Sequence, residues 1–171
     1  MSRIRRIALL AILTGPLLGA ASAKRPSVTE LRIDKSERRL EVVAGDVVLK
    51  TYDVALGPGG SGPKRYEGDK VTPIGTYRVI AKIPRLFHQF LSLDYPNAED
   101  RARYAKLKAA GDIPKGIGIG FGIGIHGVGN PELEPTHKES DWTFGCIALD
   151  DAEIDELVKL APVGTRVVIT D

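Results

Sequence analysis

The chain of 171 residues holds one cysteine, four phenylalanines, five tyrosines, one tryptophan and three histidines, and neither sign of charge dominates it. Each scarcity excludes something. A single cysteine rules out an intrachain disulfide framework and a cysteine-rich zinc site. Lysine and arginine (24) nearly balance aspartate and glutamate (22), so the net charge is +2. That is no basic footprint of the kind nucleic-acid binding leaves, and nucleic acid is excluded as the main partner. There is no internal repeat and no interdomain linker. With 43% hydrophobic and 27% charged residues, the composition fits one globular domain with a real core and argues against disorder.

Only one apolar run is long, Ile7 to Leu18, and Gly15 and Pro16 interrupt it. It falls short of the ~20 residues of a spanning helix. Arg3, Arg5 and Arg6 precede it, and Ala21-Ser22-Ala23 follow as a small-residue exit. This layout is that of a secretory signal peptide cut after Ala23. The expected division is therefore 1–23 export signal and 24–171 mature domain. The membrane is met only during export, and the destination is the periplasm. The basic balance belongs to the leader, since three of its residues are arginine.

Along the remainder, Val28 to Asp34 alternates apolar and polar as a half-buried strand does. Leu40 to Ala44 and Val47 to Leu56 continue an antiparallel meander through short polar turns. Gly57 to Pro63 is a dense glycine and proline loop, and Ile74 to Ile83 is rich in β-formers. A helix is expected over Ala98 to Ala110, capped by Asn97, with Glu99 and Asp100 in its first turn and Gly111 at its end. A second is expected over Asp151 to Leu160, where Asp150 and Glu153 have capping-box spacing. Arg166 to Thr170 is a closing strand. Gly116, Gly118, Gly120, Gly122 and Gly124 alternate with Ile117, Ile119, Phe121, Ile123 and Ile125. Strict alternation predicts a strand with apolar groups on one face and bare backbone, ending at His126, on the other.

In an oxidising compartment an unpaired thiol is a liability, so Cys146 is either buried filler or a nucleophile. A nucleophilic thiol needs a base. His88, His126 and His137 all qualify by chemistry. His126 is favoured by its place at the end of the glycine-faced segment. His88 lies beside Phe87, near Phe90, and His137 sits in a polar loop, and both suit packing or surface roles. A metal site of His126, His137 and Cys146 lacks the short paired spacing of zinc ligands, so no metal and no cofactor are expected. Gly145 lets the backbone turn sharply before Cys146 and present N–H groups to an oxyanion.

Ile125-His126-Gly127 followed by Thr143-Phe144-Gly145-Cys146-Ile147-Ala148-Leu149 resembles the signature of the L,D-transpeptidase (YkuD) family. Thr72-Pro73-Ile74-Gly75-Thr76-Tyr77, Leu91 to Asn97 and Val163 to Ile169 resemble further family elements in the right order. The resemblance implies a mainly β fold with two or three short helices, built as a YkuD-like sandwich or barrel-like arrangement of mixed sheets. It implies Cys146 as nucleophile, His126 as general base and the Gly127 carbonyl as the group that orients His126. Backbone N–H groups of Gly145 and Cys146 would form the oxyanion hole, with Thr143 in support. Phe144, Tyr95, Gly122 and Gly124 are the expected substrate contacts.

Two departures stand out. Phe144 replaces the family's histidine, and Ala148 replaces its arginine; the Gly-Cys-Ile-Ala form is similar to branches that include L,D-carboxypeptidases. The implied substrate is a peptidoglycan stem peptide, the implied inhibitors are carbapenems, and a monomer is expected. Transpeptidation is the leading reading. Stem-peptide hydrolysis by an L,D-carboxypeptidase or amidase is the alternative, and a non-catalytic wall-binding module is the second.

Overall fold

The computed structural model describes residues 27–171. The export signal expected over 1–23 lies outside them. Strands β1 (Glu30–Asp34), β2 (Arg39–Ala44) and β3 (Val47–Asp53) form the expected antiparallel meander. Leu31, Ile33, Leu40 and Val42 alternate into the core, and the polar residues between them face out. The third strand ends at Asp53. Val54, Ala55 and Leu56 run on as buried chain outside the strand.

β4 (Gly75–Pro84) and β5 (Gln89–Leu93) form a hairpin. β6 (Gly124–His126) and β7 (Ile147–Ala148) are short. β8 (Arg166–Thr170) inserts between β1, which it pairs in parallel, and β4, which it pairs antiparallel. The order is β3-β2-β1-β8-β4-β5-β6-β7. Ala55, just past one edge strand, bridges Ala148 on the other through two backbone hydrogen bonds of 3.0 and 2.8 Å. The curled mixed sheet thus meets itself at the strand that follows Cys146.

Two helices complete the fold. In α1 (Ala98–Ala109) the Asn97 side chain accepts from the Glu99 and Asp100 N–H groups, and Asp100 returns a bond to the Asn97 N–H. In α2 (Asp151–Leu160) the Glu153 carboxylate accepts from the Asp150 N–H at 3.0 Å. Ile154 and Leu157 face inward and pack α2 on β5 and β6.

The glycine-alternating segment departs from expectation. Only Gly124 to His126 pairs as a strand, against β5 on one side and β7 on the other. Gly116, Gly120 and Gly122 all have φ between +75° and +82°. That left-handed backbone breaks the period-2 geometry of a strand. Ile117 and Phe121 consequently turn to solvent, and only Ile123 and Ile125 reach the core. β7, only two residues long, is too short to show a period of its own.

Candidate active site

The site grows from the β6–β7 pair. Ile125 is in register with Ile147, and His126 with Ala148. Paired residues on adjacent strands project to the same face, and successive residues alternate. Ile125 and Ile147 are both fully buried on the core face, and burial of each contributes about 1.5–3 kcal/mol. The opposite face therefore carries His126, Gly124, Ala148 and, one step before β7, Cys146. Gly124 has no side chain because the Phe90 ring packs over it; a Cβ there would lie 2.4 Å from that ring.

The turn before Cys146 is held from several directions. The Trp142 and Thr143 N–H groups both donate to the Leu56 carbonyl at 3.0 Å. The Thr143 hydroxyl donates to the Cys146 carbonyl at 2.8 Å and accepts from the Gly145 N–H at 3.1 Å. Gly145 has φ +117°, and a Cβ on it would meet the Val71 carbonyl oxygen at 2.7 Å. No other residue fits both the dihedral and the space. One sequence expectation changes here. The Gly145 N–H is already committed to Thr143, so it is not free to serve an oxyanion.

Cys146 keeps part of its surface in solvent, with Sγ 3.5 Å from the Gly122 carbonyl oxygen. Desolvation raises the thiol pKa; the Gly124 N–H and the Lys64 ammonium oppose this without reversing it. His126 is only 3% exposed. Burial lowers its pKa, against a hydrogen bond that favours the charged ring. That bond joins Nδ1 to the Gly127 carbonyl at 2.5 Å. A carbonyl only accepts, so Nδ1 carries the hydrogen and Nε2 offers its lone pair. The ring stacks on Phe90 (5.8 Å, 5°), lies under Phe87 (4.7 Å) and meets the edge of Trp142 (5.8 Å). Burial thus favours the neutral form of each group.

Two loops border the site. Asp69 organises the first by pairing with Lys64 and accepting from the Arg65, Tyr66 and Val71 N–H groups. Glu67 N–H donates to the Gly118 carbonyl at 2.9 Å and ties this loop to the glycine-rich one. Phe144 is 73% exposed at the rim, with the Lys70 ammonium 5.3 Å from its ring centroid. Gly122 faces the thiol through its carbonyl. Tyr95 is a correction: it is buried, and its hydroxyl donates to the Ile119 carbonyl at 3.1 Å, so it braces the loop and does not face a substrate.

The other histidines are occupied elsewhere. His137 is buried and pairs with Asp150 at 2.7 Å, on the far side of Trp142 from His126. His88 pairs with Asp151 and Asp155. Among the described residues, no group of three or more His, Cys, Asp and Glu side chains is placed to hold a metal ion. The aromatic cage around His126 and the Lys64–Asp69 pair were not foreseen. Neither the spacing of Phe87, Phe90 and Trp142 nor that of Lys64 and Asp69 signals these arrangements.

A family model, the L,D-transpeptidase catalytic domain (YkuD), matches residues 29–169. The Bacillus subtilis protein YqjB, whose name assigns it provisionally to the L,D-transpeptidases, is 28% identical over 141 residues, covering 81% of this chain and 69% of that protein. Among solved structures, the helical cell shape determining protein Pgp2 from Campylobacter jejuni superposes with a TM-score of 0.61 at 23% identity, covering 83% of this chain and 47% of that one. Bd1075 from Bdellovibrio bacteriovorus gives 0.57 at 20% identity, covering 85% and 48%. This chain spans about half the length of those two solved chains, and at such identities the likeness is one of fold.

Proposed function

The chain belongs to the L,D-transpeptidase catalytic-domain family, and from that premise we propose that Cys146 is its nucleophile and His126 its general base in acyl transfer on peptidoglycan stem peptides. The observation that carries this reading is the placement of both residues on one face of β6–β7, with the Gly127 carbonyl fixing the tautomer that leaves Nε2 basic.

The neutral pair dictates the order of events. The Cys146 thiol passes its proton to His126 Nε2 as Sγ attacks the carbonyl of the third stem residue. The oxygen of that carbonyl becomes negative and accepts from the Cys146 N–H. Collapse breaks the amide bond, and the His126 imidazolium returns the proton to the departing D-alanine amine. The remaining thioester is then attacked by an amine of a neighbouring stem, giving a cross-link, or by water, giving a tripeptide. His126 removes the proton of that second nucleophile.

Hydrolysis is the second reading, supported by the rim. With Ala148 buried and Phe144 exposed at the rim, the positions of the family's arginine and histidine offer no side chain that pairs with an acceptor carboxylate. The test incubates the protein with a disaccharide-tetrapeptide, with and without an added amine, and reads products by mass spectrometry. Dimer formation supports transpeptidation; tripeptide alone in both conditions supports hydrolysis. Binding of the substrate with no product, unchanged by loss of both Cys146 and His126, would leave only a wall-binding module. Carbapenems are expected to acylate Cys146, and the leader over 1–23 is expected to deliver the enzyme to the periplasm.

A further inference from the structure

The turn joining β4 to β5 places three non-glycine residues in the left-handed region: Arg85 (φ +66°), Phe87 (φ +45°) and His88 (φ +66°). Such conformations are disfavoured for residues with a Cβ and persist only where the surroundings enforce them. Local hydrogen bonds close the turn, from the Arg85 N–H to the His88 carbonyl at 2.9 Å and from the Gln89 N–H to the Phe87 carbonyl at 2.8 Å. They do not explain why it folds down over the site.

Two contacts outside the turn do. The His88 ring is gripped at both nitrogens, Nε2 by Asp155 at 3.0 Å and Nδ1 by Asp151 at 3.5 Å. Asp151 also accepts from the Val128 and Gly129 N–H groups at 2.8 and 3.0 Å. One carboxylate therefore binds the strained turn to the segment that leaves His126. The fit is close: a Cβ on Gly129 would meet His88 N and Phe87 Cα at 2.9 and 3.0 Å. The result is that Phe87, 47% exposed, lies with its ring centroid 4.7 Å from that of His126. One side of Phe87 meets solvent and the other meets the imidazole.

We propose that Phe87 is a positioning residue for His126, a fixed cover that keeps water from the ring, and that His88, clasped by Asp151 and Asp155, holds it in place. This rests on the reading of His126 as the base. The remaining faces of the imidazole meet Phe90 and Trp142, the Gly127 carbonyl and the Cys146 side, with His137 the nearest other titratable group beyond Trp142. Around His88 the charged groups are Asp151 and Asp155 of α2 and Glu134 of the facing loop. Phe87 is the most exposed ring of this cage, so removing it admits water where burial now disfavours the imidazolium.

The test is an NMR titration of the His126 imidazole in the whole protein without substrate, assigned with His126→Gln. Phe87→Ala is expected to raise the midpoint by about half a unit or more toward the ordinary imidazole value, with Phe87→Tyr restoring it. His88→Gln, which releases the clasp, is expected to move it in the same direction. An unchanged midpoint in folded Phe87→Ala overturns the role of Phe87, and an unchanged midpoint in His88→Gln overturns the clasp. Kinetics on the tetrapeptide should show kcat falling in Phe87→Ala with KM held. Since the titration needs no turnover, its failure leaves the thiol reaction standing, and failure of the thiol reaction leaves the titration readable.

Discussion

His126 pairs in register with Ala148, two positions beyond Cys146, so alternation assigns imidazole and thiol to one face of neighbouring parallel segments. The spacing of 20 residues between them in the chain is spent on the loop that carries Trp142 and Thr143 into place.

Because burial lowers the His126 pKa and raises that of Cys146, acylation should follow the neutral pair. The acid limb of kcat/KM rises as His126 loses its proton, with a midpoint below about 6.5. The rate is then flat through neutrality and falls only above the ordinary thiol range, where the proton needed by the leaving amine is gone. Iodoacetamide alkylation of Cys146 checks the same point. It should accelerate only at alkaline pH; fast alkylation near pH 5 would mean a thiolate–imidazolium pair instead.

Thr143→Val keeps shape and removes the hydroxyl that serves both the Cys146 carbonyl and the Gly145 N–H. A buried donor left without a partner costs about 1–3 kcal/mol. The expected outcome is a lower Tm together with a kcat loss of about tenfold or more, because the same turn aims the Cys146 N–H. A melt shifted downward with full activity would detach the hydroxyl from the chemistry.

The Lys64–Asp69 pair should respond asymmetrically. Asp69→Asn strands a buried ammonium and weakens the carboxylate that three backbone N–H groups share. Breaking a buried pair this way costs about 3–5 kcal/mol. Lys64→Met leaves Asp69 with its backbone donors and should cost less. Thermal melts of the two variants, compared with the parent, test the order; equal losses or the reverse order would count against Asp69 as the organiser of the loop.

The meander, both helices and the closing strand could be read from the chain because each depends on local signals: alternation in Leu31 and Ile33, the Asn97 cap, the Glu153 return bond. The candidate pair Cys146 and His126 was legible for a different reason, the scarcity of thiol and imidazole together with Gly145 and Gly127 beside them. What escaped depends on φ and on distant packing. Glycine at 116, 120 and 122 reads as strand alternation until its left-handed dihedrals are known, and Tyr95 reads as a rim residue until its hydroxyl is found on Ile119. The commitment of the Gly145 N–H to Thr143 has only a weak local signal, a threonine two residues before the N–H it accepts from.

The release of D-alanine from a disaccharide-tetrapeptide, timed for the parent, Cys146→Ala and His126→Gln at neutral pH, probes the paired roles most directly. The expected result is no release by Cys146→Ala and a rate lowered by about 10²-fold or more in His126→Gln, with both variants folded. Release by Cys146→Ala at the parent's rate would contradict a thiol nucleophile, and an undiminished rate in His126→Gln would remove the imidazole as its base.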